Sequence, residues 1–186
     1  MSLDDILSDA GHRMDLAVEK VSEDFAGIRT GRANPQLLNR IMVDYYGTPT
    51  PLQQLANFSV PEPRILIVNP FDRGAVSDIE RAIRESDLGL NPGSDGAIIR
   101  CVFPELTEER RKDYIKIAKT AAEDGRIAAR NIRRSARDEM QKLEDDGDVV
   151  KDEHERYTKK LEELTASHVS RIDELLASKE QELLEV

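Results

Sequence analysis

Between positions 126 and 137 the chain reads Arg126-Ile-Ala-Ala-Arg130-Asn-Ile-Arg133-Arg134-Ser-Ala-Arg137, five arginines in twelve residues with no acid among them. Arg126, Arg130, Arg133 and Arg137 are spaced i, i+4, i+7 and i+11. On a helix of 3.6 residues per turn that spacing makes one stripe, which Arg134 widens. Ala128, Ala129, Ile132 and Ala136 fall on a different face. One side of such a helix can pack while another presents a row of guanidinium forks. Each fork can bond two phosphate oxygens and stays charged at any cellular pH, so the chemistry on offer is polyanion binding. The same stripe has a plainer reading: a solvated face ion-paired to acids on a neighbouring helix.

Other residues with reactive side chains form no constellation. His12, His154 and His168 are far apart, and no His/Cys spacing resembles a zinc site. Cys101 has alternating apolar neighbours and reads as a strand residue. Gly89, Gly93 and Gly96 lack the spacing and the strand–helix context of a nucleotide loop. No nucleophile elbow or kinase motif is present. The carboxylates are scattered over helix surfaces. The expectation is a chain with no catalytic centre, no metal and no cofactor. Two further basic groups stand out, Arg110-Arg111-Lys112 and the pair Arg29 and Arg32 on either side of Gly31.

The charge distribution decides what kind of polyanion the stripe suits. The 186 residues carry a net charge of −10, which argues against a general nucleic-acid coat. Residues 107–146 carry eleven basic and ten acidic side chains, whereas every other segment is net negative. An acidic body with one basic stripe fits docking on a shaped polyanion in one orientation. With one cysteine no intrachain disulfide can form, which suggests a reducing compartment. No apolar run approaches the length of a membrane span. The opening Met-Ser-Leu-Asp-Asp lacks the basic start of a signal or transit peptide, so a cytoplasmic location is expected.

The elements that must position the stripe follow from punctuation and periodicity. All eight prolines lie between 35 and 104, so the flanks are helical and the middle is not. Residues 2–29 read as a helix capped by Ser2, with Leu3, Leu7, Ala10, Met14, Ala17, Val21, Phe25 and Ile28 on its apolar face. Gly31 and Pro35 end it. Thr107 caps a second helix to about residue 145. Gly125 lies inside that helix at a propensity cost of about 1 kcal/mol, which a close helix contact or a bend would explain. Asp145-Asp146-Gly147-Asp148 reverses the chain into a third helix, 149–184, with Val150, His154, Tyr157, Leu161, Leu164, His168, Ile172 and Leu175 on one face. In the insert, strands are expected around Ile41–Tyr45, Leu55–Val60, Ile65–Val68 and Ala97–Phe103, with a helix from Ala75 to Glu85. Residues 47–51 read as a turn or irregular edge segment, and 87–93 as a loop.

These pieces assemble into an α+β fold: an elongated three-helix bundle formed by 1–30 and 105–186, with a small domain, 31–104, inserted between its first two helices. Two adjacent crossings, Thr30–Gly31 and Pro104–Glu105–Leu106, make a natural hinge, and the outline is bent. The broken heptads favour a monomer over a coiled-coil dimer.

Five stretches in order along the chain, Ile28–Pro35, Tyr45–Leu52, Asp87–Pro92, Leu106–Asp113 and Arg130–Arg134, closely resemble bacterial ribosome recycling factor. The resemblance covers essentially the whole chain. It implies an L-shaped, transfer-RNA-like molecule whose inserted domain has a β/α/β arrangement. It implies binding to the ribosome after peptide release and, with elongation factor G and GTP hydrolysis by that partner, separation of the subunits. It also implies that Arg130, Arg133 and Arg134 contact large-subunit ribosomal RNA near the subunit interface, with Arg29 and Arg32 as further candidates. Arg126 and Arg137 join that set on spacing alone. The inserted domain is the part implied to meet elongation factor G. Two rival classes are an RNA-binding structural protein of the ribosome without recycling activity, and a helical adaptor whose arginines meet an acidic protein.

Overall fold

The computed structural model describes residues 2–185. They form two compact units, one of residues 2–28 and 112–185, the other of residues 29–111.

The first unit consists of three long helices: α1 (Leu3–Ala26), most of α3 (Glu108–Asp145) and α4 (Lys151–Leu184). Ser2 and Asp5 close a capping box on α1, the Asp5 amide donating to Ser2 Oγ at 3.2 Å and the Ser2 amide to Asp5 Oδ2 at 2.8 Å. The amide of Ser2 thereby holds the Asp5 carboxyl below its ordinary pKa. The buried face of α1 is Leu3, Ile6, Ala10, Met14, Val18, Val21 and Phe25. Ile6 and Val18 thus take places that a strict three-four alternation gives to Leu7 and Ala17, which are half-buried. A helix that touches two neighbours buries a stripe wider than one seam.

Gly147, at φ +79°, breaks the chain after α3. α4 then returns antiparallel to α3, as the pairs Lys119–Glu180, Arg126–Asp173 and Arg133–Glu162 show. α1 runs parallel to α4. The Tyr157 hydroxyl donates to Asp4 Oδ1 at 2.6 Å. Farther along, Asp15 accepts from Arg171 at 2.7 Å and faces His168 Nε2 at 3.0 Å. The core between the helices includes Met14, Ala129, Ala136, Met140, Tyr157 and Leu161. Gly125 lies at a close helix contact. A Cβ built on it would lie closer than 3.0 Å to Val21 Cγ2 and 3.2 Å from Ile172 Cδ1. The three helices meet where no side chain fits.

The second unit is layered. Strands β1 (Met42–Tyr45) and β2 (Thr48–Pro51) form an antiparallel hairpin. Its two-residue turn, Tyr46-Gly47, has both φ angles positive, at 49° and 82°, which matches the twist of a hairpin. Residues 48–51 are therefore a paired strand and not merely a turn. Pro49 and Pro51 are accommodated because a two-stranded ribbon leaves each strand one unpaired edge. Strands β3 (Ala56–Glu62), β4 (Ile65–Pro70), β5 (Asn91–Asp95) and β6 (Ile98–Val102) make an antiparallel sheet in the order β3-β4-β6-β5. The stretch expected to be a loop at 87–93 thus contributes the start of β5. Asn91, Pro92 and Gly93 have poor strand propensity, and pairing with Val102, Cys101 and Arg100 overrides it. Helix α2 (Val76–Glu85) packs on β1 on one side and on β5 and β6 on the other. Ile79 and Ile83 of α2 are buried with Val43, Leu66, Val68, Ile99 and Cys101. Asp72 pins the hairpin to the rest. Its Oδ1 accepts from the Gly74 amide at 2.8 Å, and its Oδ2 from the hydroxyls of Tyr45 at 3.0 Å and Tyr46 at 3.1 Å.

Candidate nucleic-acid interface

Helix α3 buries Ala118, Ala122, Gly125, Ala129, Ile132, Ala136 and Met140 against its neighbours. Small residues dominate that row, so the helix sits close in and its opposite side is lifted clear. At about 100° per residue, Arg126 and Arg133 fall beside the buried row, at the edge facing α4, whereas Arg137, Arg130 and Arg134 turn progressively outward.

The side chains follow that geometry. Arg126, whose side chain is 19% exposed, donates from Nε to Asp173 Oδ1 at 2.8 Å and from a terminal nitrogen to Glu123 Oε2 at 2.9 Å. The Asp173 bond raises the Arg126 pKa further. Arg133, 36% exposed, reaches Glu162 Oε2 at 3.2 Å. Arg130, 49% exposed, reaches the other oxygen of Glu123 at 3.2 Å. Glu123 is held below its ordinary pKa, first by Arg126 and then by Arg130. Arg134 and Arg137 are exposed and make no hydrogen bond or ion pair among the described residues.

The ion-paired reading of the stripe holds for three of its arginines, Arg126, Arg130 and Arg133. Arg126 is a brace between α3 and α4. Arg130 and Arg133 are paired with acids but open to solvent, and the side chains of Arg134 and Arg137 have no partner among the described residues. Exposed pairs of this kind are worth about 0–1 kcal/mol, so a phosphate can displace the carboxylate. The acids are what the stripe's own spacing does not reveal. Glu123 is legible as the residue three before Arg126 and seven before Arg130. Glu162 and Asp173 come from another helix and carry no local signal.

Arg29 and Arg32 belong to the other unit. Arg29 donates to the Asp87 carbonyl at 2.5 Å, fastening the chain that leads into β5. Arg32 is exposed, and its amide reaches Thr30 Oγ1 at 3.4 Å. Within that unit, residues 30–31 and 104–106 lie side by side. Gly31, at φ +76°, would carry a Cβ 3.6 Å from the Leu106 amide nitrogen and 3.8 Å from the Pro104 carbonyl. Glu105 is held by Arg64 at 2.6 Å, and Arg64 Nε also donates to the Phe103 carbonyl at 3.0 Å. Thr30 is buried.

Cys101, His154 and His168 are held by packing or by polar partners. Cys101 is buried, and desolvation pushes its thiol up to about 11. His154 Nδ1 lies 2.6 Å from Glu144. His168 is buried, with Nδ1 2.7 Å from the Leu164 carbonyl. Among the described residues no group of three or more His, Cys, Asp or Glu could hold a metal ion, and no helix is long and apolar enough to cross a membrane.

Known proteins share this architecture. The family model for ribosome recycling factor matches residues 21–184. The ribosome-recycling factor of Cutibacterium acnes is 57% identical over 184 residues, covering 99% of this chain and 100% of the relative. That of Streptomyces coelicolor is 54% identical with the same coverage. A solution structure of the ribosome recycling factor superposes with a TM-score of 0.80 at 38% identity, covering 100% of this chain and 99% of that one. Models of the T. thermophilus ribosome recycling factor and the E. coli elongation factor G bound to the E. coli post-termination complex give 0.71 at 42% identity, covering 100% of both chains. With a relative 57% identical from end to end and a family model spanning nearly all of the sequence, the chain belongs to the ribosome recycling factor family.

Proposed function

We propose that this protein binds the post-termination ribosome and, with elongation factor G and the GTP that partner hydrolyses, promotes dissociation so that the subunits are reused. The protein itself is a non-enzymatic factor. It works in the cytoplasm as a monomer, with no cofactor. Its contact with large-subunit ribosomal RNA near the subunit interface is made by Arg130, Arg133, Arg134 and Arg137. Arg126 supports them from the edge of α3 that faces α4, and Arg29 and Arg32 add charge near the crossings. The observation that carries this contact is the row of open arginines on α3 in a chain of net charge −10. The stripe is a run of five arginines without an acid in an otherwise acidic chain, which suits orientation-specific docking on phosphate.

The crossings at Thr30, Gly31, Pro104, Glu105 and Leu106 act as a hinge between a bundle domain, 1–30 with 105–186, and an inserted domain, 31–104. The side-by-side course of the two segments supports this, since a double connection bends in a preferred direction. The inserted domain is the part that meets elongation factor G. The test is conversion of post-termination ribosomes to subunits with elongation factor G and GTP, comparing wild type with Arg133→Ala and Arg134→Ala. Activity of the wild type that needs the partner, and its loss in folded variants, is the expected result. Failure of the wild type with a matched partner refutes the function. Equal activity of all three proteins refutes the arginine assignment.

A further inference from the structure

The acids paired with Arg130 and Arg133 make exposed ion pairs that add little to stability, and they lie where phosphate would bind. Glu123 spans Arg126 and Arg130 with its two oxygens, at 2.9 Å and 3.2 Å, and Glu162 holds Arg133 at 3.2 Å. Arg134 and Arg137 have no such partner among the described residues. We infer that Glu123 and Glu162 are specificity-determining residues: they occupy Arg130 and Arg133 until a surface with correctly placed phosphates displaces them. This inference rests on the RNA-facing reading of the stripe given above.

Any polyanion can reach Arg134 and Arg137. It gains Arg130 and Arg133 only by pulling each guanidinium off a carboxylate that stays behind and repels the incoming phosphate. A random duplex offers phosphates at a fixed repeat and meets that repulsion without the full set of contacts. A matched surface engages the whole row and outweighs it. Selectivity is then produced by a repulsive element as much as by an attractive one. Glu123 keeps its bond to Arg126 at the edge of the stripe, where RNA need not reach, when Arg130 is drawn away. The exposures order the response, since Arg130 at 49% and Arg133 at 36% are open enough to change partners, whereas Arg126 at 19% is not.

The test measures binding of ribosomes and of a random-sequence RNA duplex by wild type, Glu123→Gln, Glu162→Gln, the double variant and Arg134→Ala, across a salt series. Glutamine keeps the shape and removes the charge. Each Glu→Gln change is expected to tighten duplex binding about threefold, the factor a like charge about 7 Å from a phosphate imposes in water. The double variant should gain about tenfold on the duplex and less on ribosomes, so the ratio of the two affinities falls. Each guanidinium released should also steepen the dependence of log affinity on log salt by about 0.7–0.9 per phosphate engaged. Unchanged or weaker duplex binding by the folded double variant would overturn the inference, weaker binding meaning that the acids orient the arginines instead. Arg134→Ala separates the two levels. If it weakens ribosome binding while the Glu→Gln changes do nothing, only the guarding role is lost. If it leaves ribosome binding intact, the RNA-facing reading fails and this inference with it.

Discussion

Gly125→Ala should destabilise the bundle, although the same change on an exposed helix stabilises. In a helix interior, alanine gains about 1 kcal/mol over glycine from backbone entropy. Here the new Cβ would sit closer than 3.0 Å to Val21 Cγ2 and 3.2 Å from Ile172 Cδ1. Ordinary carbon contacts lie at about 3.5–4.0 Å, so Val21 must retreat by more than about half an ångström. Valine in a helix is held to one side-chain rotamer, and both neighbours are fully packed, at 1% and 0% exposure. The strain has to go into separating α1 from α3. Overpacking of that kind costs about 1–3 kcal/mol, and the severity of this contact places it near the top of the range. The net expectation is a loss of about 1–2 kcal/mol, a fall in melting temperature of about 2–8 °C for a chain of this size. Urea denaturation followed by far-ultraviolet circular dichroism measures it. The decisive control is Val21→Ala, which removes the clashing carbons. Alone it costs about 2 kcal/mol, and the double variant should be about 1 kcal/mol more stable than the sum of the singles. A more stable Gly125→Ala protein, or strict additivity in the cycle, would refute the close-contact explanation.

Arg133→Ala should change stability by less than about 1 kcal/mol, because its pair with Glu162 is exposed and solvent-screened; a thermal melt reads this, and a much larger loss would make the arginine structural. The Asp72 carboxyl is held below its ordinary value by the Gly74 amide first and the tyrosine hydroxyls next. Its contribution is therefore complete above the unfolded carboxylate pKa, about 3.9, and disappears as pH falls through the lower folded value. Asp72→Asn should flatten that part of the acid-unfolding curve, and an unaltered curve would show that the Tyr45–Asp72–Tyr46 link contributes nothing. With its thiol pushed up to about 11, Cys101 should resist a thiol reagent at mildly alkaline pH until the small unit unfolds. As pH rises from the free-thiol range towards that value, stability should decline, since only the unfolded chain ionises there. Rapid labelling of the native protein would contradict the burial.

Much of the candidate interface was legible along the chain, and the way each feature was encoded explains why. The arginine stripe, the Ser2 cap, the Gly147 reversal and the confinement of proline to the middle are local statements. Each rests on residues within a turn or two of one another, where helical periodicity and backbone sterics leave few alternatives. Residues 48–51 and 91–93 were harder. Their prolines and glycines signal turns, and only pairing with Met42–Tyr45 and with Arg100–Val102 makes them strands. The same holds for the face of α1, where Ile6 and Val18 displace Leu7 and Ala17 because two helices, not one, pack against it.

Sequence by itself determined that three proline-free helices flank a mixed insert, and that α3 carries a line of arginines in an acidic chain. Both depend on composition and spacing, which physics reads without knowing the fold. Tertiary structure alone decided that Gly125 marks a three-helix contact, that Arg126 braces α3 to α4, and that Arg134 and Arg137 are left open. Those outcomes depend on Val21, Glu162, Asp173 and Ile172. These residues lie far from α3 in sequence and meet it only because α4 turns back and α1 runs beside it. A helix fixes where a guanidinium points; its neighbour fixes what it finds there.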